Sequence, residues 1–135
     1  MGGFIFDESG NFETIQGDSG HIIVEDIPKD KNYTIFLGVQ NSKREPVGNE
    51  LYLNSNQEDT VDFFLSGEYT DQWTVPKNKE TETYYYAVKI CYIAPEGSAE
   101  NSTEDTAVLN DNDISFYNEI TVYPRRVKGI PIENA

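Results

Sequence analysis

Apolar and polar residues along this chain alternate by two far more often than they recur at helical spacing. In Tyr33–Gln40 the residues Tyr33, Ile35, Leu37 and Val39 fall on one face, and Thr34, Gly38 and Gln40 fall on the other. Side chains alternate across a strand, so this run predicts one buried and one wetter face. Tyr84–Cys91 repeats the pattern, with Tyr84, Tyr86, Val88 and Ile90 on one side and Tyr85, Ala87, Lys89 and Cys91 on the other. Shorter strands are expected at Ile22–Val24, Glu50–Leu53, Val61–Leu65, Ala107–Leu109 and Ile120–Tyr123, with Trp73–Val75 a weaker one.

Turn-forming clusters separate these runs: Ile27–Asp30, Glu45–Gly48, Asn54–Gln57, Pro95–Ser98 and Asn110–Asp113. About seven or eight short strands with bends between them predict an all-β domain, a single antiparallel β-sandwich. A small β-barrel is the alternative, because period-two patterning does not distinguish stacked sheets from one closed sheet. The expected organisation is an N-terminal arm over 1–15, a sandwich over 16–124 and a C-terminal tail over 125–135. The polar stretch 95–106 reads as a long exposed loop.

Length and charge narrow the function classes. The 135 residues suit one domain, and 24 acidic against 10 basic residues give a formal charge of -14. A groove for a nucleic-acid backbone needs the opposite sign, so no direct nucleic-acid binding is expected. Nine tyrosines and seven phenylalanines supply enough apolar surface for a folded core. The single cysteine, Cys91, allows no intrachain disulfide. Neither a secretory signal nor a membrane span is expected from the apolar runs, so both sequons, Asn32–Thr34 and Asn101–Thr103, read as chance.

Candidate chemistry is sparse, and no enzyme is expected. Gly17-Asp18-Ser19-Gly20 matches the nucleophile motif of chymotrypsin-like proteases, but the only histidine, His21, stands two residues from Ser19. A turn leading into a strand accounts for the motif. A Cys91–His21 dyad is formally available, although an ordinary small strand residue is the simpler account of Cys91. One His and one Cys do not make a zinc site. An acidic loop starting at Asp111 fails as a helix-loop-helix calcium site, with Phe116 at its sixth position and Val122 at its twelfth. No metal or other cofactor is expected. The aromatics expected to stand exposed for binding are Trp73 and Tyr85, and the densest basic cluster is Arg125, Arg126 and Lys128, suited to docking on an acidic neighbour.

The order of segments resembles a known family. Gln16–Ser19, Asp26–Tyr33, Val39–Arg44 with Pro46 and Gly48, Tyr84–Cys91, Thr103–Thr106 and Ile120–Pro124 together resemble the N-terminal domain of the phage baseplate upper protein family, from phages of gut Firmicutes. The likeness spans roughly Gln16 to Gly129 and consists of turn and strand residues. It implies a β-sandwich that fixes receptor-binding parts to the tail, without catalytic residues. The expected role is a virion structural protein in the baseplate or tail, partnered by other virion proteins and by copies of itself. Two alternatives stand beside it: an acidic inhibitor of a host defence nuclease, of anti-CRISPR or DNA-mimic type, and a carbohydrate-binding module using Trp73 or Tyr85.

Overall fold

The computed structural model describes residues 3–92 and 118–125. The elements run β1 (Ile5–Phe6), β2 (Phe12–Ile15), β3 (Gly20–Val24), β4 (Thr34–Gln40), β5 (Leu51–Asn54), β6 (Val61–Leu65), a single helical turn α1 (Gly67–Thr70), β7 (Glu82–Cys91) and β8 (Asn118–Tyr123). The two long runs read from alternation are thus β4 and β7, and Val61–Leu65 is β6 to the residue. The expected strand Ala107–Leu109 and the turns at Pro95–Ser98 and Asn110–Asp113 lie outside the described residues.

Two sheets form the sandwich. The larger has six strands in the order β1-β2-β8-β7-β4-β5, and the smaller pairs β3 with β6. Their inner faces meet in one core. Phe12, Ile35, Leu37, Val39, Tyr84, Tyr86, Ile120 and Val122 come from the larger sheet, and Ile22, Val61, Phe63 and Leu65 from the smaller. Among the described residues every strand pair is antiparallel except β2 with β8, which runs parallel with Phe12 opposite Ile120 and Thr14 opposite Val122. A parallel pair needs a crossover connection, and here most of the chain supplies it.

That pairing corrects the expected N-terminal arm. Residues 5–15 form a hairpin whose second strand lies inside the sheet, between β1 and β8. An Asx-type turn shapes its tip: Asp7 Oδ1 accepts from the amides of Ser9 at 2.8 Å and Asn11 at 3.0 Å. These hydrogen bonds, Ser9 first, hold the Asp7 carboxyl below its usual range despite a smaller opposing desolvation. Gly10, at φ +93°, completes the bend, and its carbonyl accepts from the Tyr86 hydroxyl at 2.5 Å. The Phe4 ring stacks on Phe12 with centroids 4.4 Å apart, anchoring the start of the hairpin to the core.

Strand β4 is buried along its whole length, so its second face is not the wetter one that alternation predicts. The strand lies between β5 and β7, which flank its outward residues: Gly38 stands opposite Ala87, Thr34 opposite Cys91, and Phe36 between Tyr52 and Lys89. The weak strand expected at Trp73–Val75 does not form. Ser66 caps α1 by accepting from the Tyr69 amide, the turn continues through a 2.9 Å bond from the Trp73 amide to the Thr70 carbonyl, and the chain leaves it with the indole turned into the core.

Candidate interaction surface

Trp73 is fully buried, which corrects its reading as an exposed binding aromatic. Its ring lies 6.1 Å from Tyr84, 6.1 Å from Tyr69 and 6.3 Å from Phe12, so apolar packing has taken both of its faces. The carbonyl one residue on, that of Thr74, accepts from the Tyr84 hydroxyl at 2.7 Å. Burial raises the pKa of phenols in this core, to about 12 for Tyr69 and for Tyr86.

Tyr85 is half-buried on the outer face of the larger sheet, beside Gln40 and Glu119. The Arg44 guanidinium sits 3.7 Å from its ring centroid, so one aromatic face is already occupied by a cation. The turn carrying Arg44 is fixed by Asn41 Oδ1, which accepts from the amides of Lys43 at 2.9 Å and Glu45 at 3.0 Å.

Arg125 folds back onto the domain. Its guanidinium forms an ion pair with Asp71, and its Nε donates to the Gln16 carbonyl at 3.5 Å. It borders a pocket of about 700 Å³ at the ends of the parallel strands, lined by Ile5, Glu13, Ile15 and Tyr123 among others. Arg126 and Lys128 lie outside the described residues.

The Gly17–Gly20 motif serves the fold. Gly17 has φ +91°, the Asp18 amide donates to the Ile15 carbonyl at 2.9 Å, and the Asp18 carbonyl accepts from the buried Thr70 hydroxyl at 2.8 Å. His21 Nδ1 does meet a carboxylate, Asp62 Oδ1, at 2.7 Å. Asp62 stands opposite Ile23, so the ring leans along β3 away from Ser19, and no serine triad forms. Cys91 is buried on the outward side of the larger sheet, while His21 is exposed on the outward side of the smaller, so the sandwich separates them. Among the described residues no cluster of three or more His, Cys, Asp or Glu is placed to hold a metal ion. The acidic stretches 101–105 and 110–113 fall outside them.

What the smaller sheet does present is an apolar face. Ile22, Phe63 and Leu65 point into the core, which leaves His21, Ile23, Asp62 and Phe64 outward. Ile23 is 54% exposed and Phe64 57%, large apolar side chains left in water. Beside them, β5 exposes Tyr52 and Leu53, and a groove of about 440 Å³ lies between β5 and β6. Among the described residues, β3 and β6 have no strand beyond each other and β5 has none beyond β4. Ile23, Tyr52 and Phe64 were legible as anomalies of the alternation, since Ile22-Ile23, Leu51-Tyr52 and Phe63-Phe64 each put an apolar residue on both faces.

No protein-family model, no curated protein and no solved structure matches the chain.

Proposed function

We propose that this protein is a non-enzymatic structural domain of a phage particle, docking neighbouring baseplate or tail subunits through the open edges of its sandwich. The observation that carries the reading is the juxtaposition of exposed Ile23, Phe64, Tyr52 and Leu53 with three strand edges that have no strand neighbour among the described residues. Exposed apolar side chains beside unpaired edges are the ordinary ingredients of strand addition between chains. The resemblance in Gln16–Gly129 to baseplate upper proteins supplies the setting. The triad geometry fails at Ser19 and His21, so the protease motif adds no catalytic alternative.

Light scattering across a concentration series, together with mass spectrometry of proteins recovered with the chain from infected cells, tests this reading. Recovery with tail proteins, or a defined oligomer, is the expected result. A monomer recovered with a host nuclease overturns it in favour of the acidic inhibitor, a reading that rests on the charge of -14.

A further inference from the structure

At the turn Gln16–Asp18 the chain leaves the larger sheet after β2 and enters the smaller one at β3, and two distant parts of the sequence grip this turn. From the α1 side, the Thr70 hydroxyl donates to the Asp18 carbonyl at 2.8 Å, and the Gln16 side-chain amide donates to the Asp71 carbonyl at 2.8 Å. A Cβ on Gly67 would stand 2.5 Å from the Gly17 carbonyl oxygen, so only glycine lets α1 approach this closely. From the other side comes Arg125, just past the end of β8. Its guanidinium covers Gly17, where a Cβ would collide with it, and reaches both the Gln16 carbonyl and the Asp71 carboxylate. Gly17 thus has two reasons to be glycine, its φ of +91° and the cation lying on it.

Of these contacts only the link from Arg125 to Asp71 is an ion pair, and both side chains are about half exposed. We infer that Arg125 is a releasable latch: its ion pair with Asp71, set over Gly17, holds the end of β8 against the β2–β3 turn, and opening it frees that end from β2 while the core stays folded. The hydrogen bond that joins the two strand ends, from the Gln16 amide to the Tyr123 carbonyl at 2.9 Å, lies beside the latch. Salt weakens an exposed ion pair, and a strand end opens locally at far less cost than the whole domain. The acidic neighbour that suits Arg125 is therefore a residue of its own chain. The latch acts within one molecule, so it does not depend on the docking reading above.

Amide hydrogen exchange at Gln16 and Asp18 in the full chain, followed by NMR with the denaturant midpoint measured alongside, tests it. Asp71→Asn is expected to speed exchange at both amides roughly two- to fivefold and to leave the midpoint near wild type. Raising salt from about 0.05 M to about 1 M should produce the same acceleration in wild type and none in Asp71→Asn. That comparison separates the latch from the general screening of a chain of charge -14. Arg125→Lys keeps the charge but lacks the Nε donor and the planar fork, so its exchange should fall between wild type and Arg125→Ala. Gly17→Ala should open the latch as well, and because Asp71 is exposed, its variant keeps the test alive if Gly17→Ala fails to fold. Three results overturn the inference: exchange unchanged in Asp71→Asn, wild-type exchange blind to salt, or a midpoint that falls in step with the faster exchange, which would make the contact a fixed part of the global fold.

Discussion

Phe12 lies directly opposite Ile120 in the parallel pairing of the larger sheet, and both side chains are buried in the core. Residues near the two ends of the sequence thereby share one layer, with Phe12 stacked on Phe4 and set against Trp73 and Tyr86. Phe12→Ala removes a buried ring from this cluster and is expected to cost about 3–5 kcal/mol, read as a lowered denaturant midpoint at an unchanged slope. A midpoint within error of wild type would mean that the first hairpin is a detachable arm, as the sequence reading of 1–15 expects.

Trp73 is the only tryptophan and is fully buried, so its fluorescence reports directly on the packing. Emission is expected at short wavelength and resistant to acrylamide quenching in the native state, shifting red on unfolding. Its indole Nε1 is buried with no hydrogen-bond partner among the described residues. An orphaned buried donor carries a desolvation penalty, so Trp73→Phe is expected to cost distinctly less than the roughly 3–5 kcal/mol of Trp73→Ala. Equal costs for the two variants in denaturant titrations would contradict that account of the indole.

Alkali is expected to weaken the fold through its buried phenols. Tyr69 and Tyr86 titrate at about 12 when folded, both raised chiefly by burial, and Tyr84 is raised for the same leading reason. In the unfolded chain a tyrosine titrates at about 10. Between those values the unfolded state gives up protons that the folded state keeps. The stabilisation these phenols contribute is therefore complete below pH of about 10 and is lost as pH rises towards about 12. Denaturant midpoints across that window should fall for wild type and fall less for Tyr69→Phe. Phenolate absorbance should show tyrosines that ionise only on unfolding.

Most of the strand content is legible in the sequence because burial on one face imposes period two, as β6 shows with Val61, Phe63 and Leu65 buried and Asp62 and Phe64 exposed. Three features were hidden for physical reasons. The parallel pairing of β2 with β8 depends on residues over a hundred positions apart, and no local pattern encodes which edge a strand joins. The second face of β4 is covered although Thr34 and Gln40 are polar, because burial of that face is set by tertiary packing. Trp73 reads locally as the start of a weak strand, whereas it reaches the core from a turn after α1. The candidate surface was visible only as a breach of the pattern: Phe64 follows Phe63, and Ile23 follows Ile22, where alternation calls for polar residues.

The outward face of β3 and β6 is expected to be dispensable for folding. Asp62 pairs with His21 at 2.7 Å, but both side chains are 53% exposed, and solvent screening leaves such a pair worth about 1 kcal/mol or less. Asp62→Asn, Ile23→Lys and Phe64→Lys should each leave thermal stability close to wild type, the two lysine changes within about 0.5 kcal/mol. A large loss in any of them would show that the face is a structural part of the domain instead of a free surface.

The most direct measurement is the composition of phage particles assembled with the wild-type chain or with the double variant Ile23→Lys, Phe64→Lys. Quantitative mass spectrometry of purified particles is expected to find the wild-type chain in fixed ratio to tail proteins, and the folded double variant depleted. Absence of the wild-type chain from the particles, or incorporation of the variant at the wild-type ratio, would contradict docking through this face.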